Sequence, residues 1–202
     1  MAALQNFDFT QDYTLENERV LLRPLLLSDY SLLEKYVIEE PDLWQYSLVA
    51  INDSADLENY LQEALKARNQ KTAYPFIVFD KLLQQYVGCT RFYDIQLPFN
   101  STQLGYTWYS KKVWGTGLNQ HCKFLLLQFA FDQICFDRVE FRADNNNKRS
   151  IAAMQKIGCT IEGVLRNHLP MPNGTRRDSI VLSILKPEWI AKLKQNLAAQ
   201  LK

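Results

Sequence analysis

The stretch Lys112-Val-Trp-Gly115-Thr-Gly117-Leu118-Asn-Gln-His-Cys122-Lys-Phe-Leu-Leu-Leu-Gln-Phe-Ala-Phe131 decides how this chain is read. Leu118, Cys122, Leu125, Leu126, Phe129 and Ala130 recur at helical spacing, and Phe124, Leu127 and Phe131 widen the stripe. So broad an apolar face predicts a central, well-buried helix over 117–134. The two glycines ahead of it let the backbone bend sharply and come close to a ligand. First-turn N–H groups of a helix lack partners and lie at the positive end of its dipole, so the turn is a candidate anion site for a phosphate or pyrophosphate. It is not a Walker A loop, because no Gly-Lys-Ser/Thr follows. It also lacks the third glycine and the βαβ setting of a dinucleotide fingerprint.

Working outward, residues 19–23 form a short apolar run closed by Pro24 and read as a strand, after which Ser28 and Asp29 read as the start of a helix running towards Ile38. Segment 54–69 repeats the helical signal, with Ser54 as N-cap and Leu57, Tyr60, Leu61, Ala64 and Leu65 on one face. Segments 76–79, 86–95 and 102–109 are rich in aromatic and β-branched residues and read as an antiparallel meander. Beyond the buried helix, residues 138–143 alternate polar and apolar, as a strand with one face inward does. A helix from 147 to 157 closes at Gly158, and strands follow at 160–166 and 177–185. The order β-α-α-β-β-β-α-β-α-β-β predicts an α+β or mixed α/β sheet with helices packed on it, in one domain spanning 1–202.

With 23 Lys and Arg against 22 Asp and Glu, the net charge of +1 provides no overall field to recruit nucleic acid or an anionic membrane. The start of the chain lacks a secretory pattern and no run of about eighteen apolar residues occurs, so a soluble, cytoplasmic protein is expected. The four cysteines form no C-x-x-C pair and there are only two histidines, so buried thiols and no metal are expected.

Taken together, the motifs resemble a known family. Lys112-x-x-Gly115-x-Gly117 resembles the Gln/Arg-x-x-Gly-x-Gly/Ala acetyl-CoA loop of the GNAT superfamily of N-acetyltransferases. Asn147-x-x-Ser150, with its helix and Gly158-Cys159, resembles that superfamily's second signature, Asn-x-x-Ser followed by a helix and Gly-Phe. Glu162-Gly163-Val164-Leu165-Arg166, Arg177-Asp178 and Glu188-Trp189 are similar to the branch that includes the Rim-type ribosomal-protein N-terminal acetyltransferases. The resemblance implies a mostly antiparallel mixed sheet of about seven strands flanked by about four helices. It also implies transfer of acetyl from acetyl-CoA to a primary amine by direct attack on the thioester. Three positions depart from the pattern: Lys112 replaces Gln or Arg, Cys159 replaces Phe, and Met154 stands where many members carry the tyrosine that protonates the leaving thiolate.

By the same resemblance, the strand end at Trp108, Tyr109 and Ser110 splays from the 138–143 strand, and the Tyr109 N–H is the oxyanion donor. Lys112, Trp114, Gly115, Thr116, Gly117 and Leu118 form the CoA turn, Asn147 contacts the pantetheine amide, and Ser150 hydrogen-bonds near the thioester sulfur. A structural account of the last pair, Asn147 as N-cap and Ser150 at N3, stands beside the functional one. Asp178 shares strand parity with Ile180, Leu182 and Ile184, which makes it a candidate base or a partner of Arg177 or backbone. Glu162, His168, Asp94 and Glu39 are further candidates, His168 being expected as a solvated loop side chain beside Pro170 and Pro172. Acceptor choice falls to the first two helices and the 167–175 loop. A protein α-amino group, lysine, polyamine or aminoglycoside all fit, as does a homodimer. A catalytically weak or inactive acyl-CoA sensor or interaction module of the same fold is the alternative reading.

Overall fold

Alternating burial along short β-branched and aromatic runs builds the sheet, as period-two patterning requires. The computed structural model describes residues 7–201. Its strands are β1 (Leu15–Glu16), β2 (Val20–Pro24), β3 (Ala73–Asp80), β4 (Gln85–Gln96), β5 (Ser101–Tyr109), β6 (Arg138–Asp144), β7 (Thr160–Pro170) and β8 (Arg176–Leu185). They form one 8-stranded sheet in the order β1-β2-β3-β4-β5-β6-β8-β7. Every neighbouring pair is antiparallel except β5 with β6.

Helices cover both faces. On one, α1 (Tyr30–Glu39) and α2 (Ser54–Asn69) pack over Ile77, Cys89 and Trp108. On the other, α3 (Leu118–Gln128), continued by the wider turn Phe129–Gln133, and α4 (Lys148–Lys156) pack over Leu22, Phe92, Val139, Phe141 and Leu182. A C-terminal helical segment (Lys186–Glu188, Trp189–Leu193 and Lys194–Ala198) closes that side. Its Trp189 is fully buried, stacks on Phe131 and donates its indole N–H to Asp132 Oδ1 at 2.9 Å. Leu118, Cys122, Leu126 and Leu127 of α3 are wholly buried, as the width of the stripe predicts.

The order of elements and the sheet class follow the sequence reading, with local corrections. The sheet has eight strands, in keeping with the about seven expected and with the two-residue β1 as the addition, and the C-terminal helical segment was not foreseen. α2 is capped by Asp53, whose carboxylate accepts the Asp56 N–H, not by Ser54. α1 is entered through a tight turn, Leu27–Asp29, in which Asp29 accepts the Leu26 N–H and pairs with both Arg23 terminal nitrogens; Ser28 does not cap it. Strands β7 and β8 run further than expected, so residues 167–170 of the expected 167–175 loop are strand and 171–175 connect the hairpin. Cys89, Cys122 and Cys159 are buried and Cys135 is half-buried, all four as free thiols. No helix among the described residues is long and apolar enough to cross a membrane.

Candidate active site

The parallel pair β5 and β6 is joined at only three positions, Ser101 with Arg138, Thr102 with Val139 and Gln103 with Glu140. Both strands continue past that point, β5 to Tyr109 and β6 to Asp144, so they diverge into a wedge. The cause is on the other edge of β5. Its register with β4 shifts between Cys89 and Arg91, where Tyr106 takes a positive φ of 49°, a bulge that turns the strand away from β6. Gly88 permits the close β4 to β5 contact beyond the bulge, since a Cβ there would lie 2.0 Å from the Trp108 carbonyl oxygen.

The bulge sets which backbone groups look into the wedge. Ser110 N–H donates to Val87 O at 2.8 Å, and successive N–H groups along a strand point to opposite edges. Tyr109 N–H therefore faces away from β4, into the wedge. Its carbonyl faces the same way and accepts the Trp114 indole N–H at 2.9 Å. The Tyr109 phenol is buried without a hydrogen-bond partner among the described residues, and burial holds its pKa well above the ordinary tyrosine value. Trp108 points to the opposite face, edge-on to Trp44 at 5.1 Å.

Ser110 is fixed by a residue that the sequence reading passed over. Glu40 is buried, and its carboxylate accepts the Ser110 hydroxyl at 2.7 Å and the Lys111 N–H at 2.6 Å. Its neighbour Glu39, one of the candidate bases, is exposed. The Lys111 ammonium pairs with Asp42. Together these contacts pin the end of β5 to the turn after α1.

The glycine turn follows directly. Gly115 (φ 76°) and Gly117 (φ 90°) both occupy the left-handed region, and beside each the space a side chain would fill is open. Gly117 is the N-cap of α3, with no side-chain cap and no acidic residue in the first turn. The positive end of the most buried helix thus meets open space. Thr116 is tethered by its hydroxyl, which donates to Val113 O and accepts from Arg19, itself ion-paired to buried Asp80 at 2.9 Å. Across the wedge mouth, the Arg149 guanidinium of α4 lies 3.3 Å from the centroid of the Trp114 ring. Lys112 is exposed and enters no ion pair among the described residues.

These features, a parallel pair that splays beside an uncapped helix start, match a known architecture. A family model described as an acetyltransferase (GNAT) domain matches residues 19–160. The chain belongs to the GNAT acetyltransferase family. Among curated relatives, p20 of Bacillus licheniformis, named an uncharacterized N-acetyltransferase, is 24% identical over 177 residues, covering 87% of this chain and 98% of the relative. A GCN5-related N-acetyltransferase from Brucella melitensis superposes with a TM-score of 0.87 at 24% identity, covering 96% of this chain and 88% of that one. Mycobacterium smegmatis RimJ, solved in complex with CoA-disulfide, shares the fold with a TM-score of 0.77 at 18% identity, covering 93% of each chain.

In this GNAT domain the remaining candidates fall as follows. Asn147 caps α4, its side-chain oxygen accepting the Ser150 N–H at 3.0 Å, which leaves the Ser150 hydroxyl without a hydrogen bond among the described residues. Met154 is buried in the core. Asp178 accepts the Asn167 N–H at 2.7 Å and so supports the β7 backbone where Asn167 takes a φ of 51°. Glu162 is held by Arg138 and the Ser183 hydroxyl, which keep it below the usual carboxylate range. Asp94 accepts from Gln96 and Gln103. His168 lies on β7 rather than in a loop and is half-buried, with Nδ1 3.0 Å from the Ser179 hydroxyl. Burial and then the cations of Arg142, Arg177 and Arg176 lower its pKa from the ordinary value of 6.5. Ser179 in turn pairs with Asp144, where β6 ends at the wedge. A cleft of about 190 Å³ opens between the turn after α1 and the β7–β8 connection, lined by Asp42, Trp44, Ile51, Met171 and Pro172 among others. No cluster of three His, Cys, Asp or Glu side chains suited to a metal occurs among the described residues.

Proposed function

We propose that the chain transfers acetyl from acetyl-CoA to a primary amine, with the β5–β6 wedge as the thioester site and the cleft beside Trp44 as the acceptor entrance. The observation that carries this reading is the uncapped N-terminus of α3 opening beside a wedge into which the Tyr109 N–H points. Acetyl-CoA fits these residues: the Gly115–Gly117 turn has open space for the pyrophosphate and, among the described residues, the Gly115 and Gly117 N–H groups have no backbone partner, while the wedge offers strand amides to the pantetheine arm. When bound it supplies an acetyl group already activated as a thioester, whose thiol has a pKa near about 8.5.

The chain then has three tasks. Gly115, Thr116, Gly117 and Leu118 hold the anion, with Lys112 and Trp114 beside them. Tyr109 N–H, held in place through Ser110 and Glu40, stabilises negative charge developing on the acetyl oxygen. Asn147 and Ser150 stand at the opposite wall, the amide of Asn147 and the free hydroxyl of Ser150 serving the pantetheine arm and the sulfur. On the acceptor face His168 takes the amine's proton: its imidazole is half-buried on β7 with burial and neighbouring arginines favouring the neutral form, whereas Asp178, Glu162 and Asp94 are engaged as acceptors in structural contacts. The Rim-type resemblance makes a protein α-amino group the first acceptor to test, and its pKa near about 8 needs less help than a lysine near about 10.4.

Free-thiol release from acetyl-CoA, measured with peptides bearing a free N-terminus, lysine peptides, a polyamine and an aminoglycoside, tests the reading. Amine-dependent release is expected, largest with an α-amino peptide. Saturable CoA binding with no amine-dependent release at any pH from 6 to 9 would overturn the catalytic reading and favour an acyl-CoA sensor.

A further inference from the structure

Lys123 occupies the most costly position a lysine takes in this fold. It lies on α3 one turn before Leu127, inside the apolar stripe, and is 5% exposed. Its ammonium donates to the Thr107 hydroxyl at 3.0 Å and stands 5.8 Å from the centroid of the Phe141 ring. Thr107 is on β5 two residues before Tyr109, and Phe141 is the first residue of β6 past the last β5 pair. The amine therefore stands at the fork where the two strands separate, on the α3 face of the wedge.

Among the described residues no negative charge balances it. Lys123 enters no ion pair among the described residues, and the Thr107 hydroxyl is already shared with Thr90 at 2.7 Å. The titratable groups facing it are the thiols of Cys122 on its own helix and Cys159 ahead of β7, both pushed up to about 12, chiefly by burial. Burial draws Lys123 itself down to about 8. An ammonium carries three donors, and here one is used. A buried cation with one hydrogen bond and only neutral neighbours is a liability that an apolar side chain of the same length would remove. Met154 adds a second observation, because the α4 position from which a tyrosine would serve the leaving group holds a buried thioether instead.

We propose that Lys123 is the acid on the leaving-group side, its ammonium meeting the thioester sulfur at the base of the wedge and protonating the departing thiolate. The proposal rests on the assignment of the wedge to acetyl-CoA. The acceptor nitrogen bonds to the acetyl carbon and gives its proton to the base on the opposite face of the sheet. The C–S bond breaks with its electron pair on sulfur, the Lys123 proton joins that pair, and free thiol leaves. The neutral amine regains a proton from water once the wedge is vacated. Donor and acceptor have similar proton affinities, the condition under which such a transfer is effective at neutral pH.

The test uses CoA alone. Thiolate absorbance in the ultraviolet, titrated for the CoA complex against the desulfo-CoA complex to remove the protein's own cysteines and tyrosines, gives the acidity of the bound thiol. In the wild-type complex the thiol is expected to ionise at lower pH than free CoA, and in Lys123→Met the bound thiol should be about tenfold less acidic, one pKa unit. Lys123→Met should melt at or above the wild-type temperature, since it removes a buried charge. Lys123→Gln, which keeps a neutral donor, provides the same comparison if Lys123→Met does not fold. Equal thiol acidity in the wild type and in a variant that binds CoA overturns the role of Lys123 and leaves the wedge assignment standing. Failure of both variants to fold makes the amine structural and also overturns it. Failure of the wild type to bind CoA overturns the wedge assignment and this proposal together.

Discussion

Glu40 offers the sharpest check on how the end of β5 is held. Its carboxylate accepts from the Ser110 hydroxyl at 2.7 Å and the Lys111 N–H at 2.6 Å while only 7% exposed. Hydrogen bonds to a charged group contribute roughly 1.5–3 kcal/mol each, and a buried donor left without an acceptor costs about 1–3 kcal/mol. Ser110 is fully buried but the Lys111 side of the contact is partly open, so water recovers some of the second term. Glu40→Ala should therefore destabilise by about 2–4 kcal/mol, and Glu40→Gln, which keeps one acceptor, by about 1–2 kcal/mol. Urea unfolding with an unchanged m-value measures this, and the Glu40→Ala/Ser110→Ala cycle should return a coupling of about 1–2 kcal/mol. Because Tyr109 precedes Ser110, Glu40→Gln should also slow single-turnover acetyl transfer under conditions where the variant is fully folded. A Glu40→Ala protein within about 0.5 kcal/mol of wild type, or a coupling near zero, would show that Glu40 does not anchor the strand.

Two further outcomes follow from the walls of the wedge. Ser150→Ala should lower the single-turnover rate with little change in acetyl-CoA affinity, and since Asn147 rather than Ser150 caps α4, it should alter stability by less than about 1 kcal/mol; an unchanged rate would remove Ser150 from the mechanism. His168 has a folded pKa below its unfolded 6.5, so its neutral form is favoured by folding and its stabilising contribution, present above 6.5, is lost as pH falls through the folded value. As the base it should also confine the acidic limb of kcat/KM to pH values below 6.5, a limb that His168→Gln should abolish together with most of the rate. Retention of the same limb in His168→Gln would exclude it.

Much of this architecture was legible in the sequence because it is carried by periodicity. The breadth of the 118–131 stripe placed α3 in the core, and the alternation at 138–143 placed β6. The glycine turn and the Asn147 to Ser150 spacing were likewise readable, since each needs a particular residue at a particular backbone position. What could not be read depends on contacts between distant segments. Glu40 meets Ser110 and Lys111 across 70 and 71 residues, and nothing local distinguishes it from Glu39. The bulge at Tyr106 that opens the wedge arises from β4 to β5 register rather than from a glycine. Parity aligned Asp178 with Ile180, but the positive φ of Asn167 created a backbone donor that its carboxylate accepts. Lys123 did leave a signal: a lysine four residues before Leu127 and seven before Ala130, both wholly buried, falls inside the stripe that defined the helix.

Every role proposed for the site depends on the glycine turn and the β5–β6 wedge together holding acetyl-CoA. Calorimetric titration of CoA, ATP and NAD into the wild type and into Gly117→Val tests it most directly. Gly117 holds a φ of 90° at the α3 N-cap, where a β-branched side chain is strained and would fill the open space beside the helix N-terminus. One saturable site for CoA is expected in the wild type, with no comparable site for ATP or NAD, and CoA affinity should fall at least about tenfold, roughly 1.4 kcal/mol, in a Gly117→Val protein that remains folded. CoA binding of equal strength in the two proteins, or ATP or NAD binding as tightly as CoA, would contradict it.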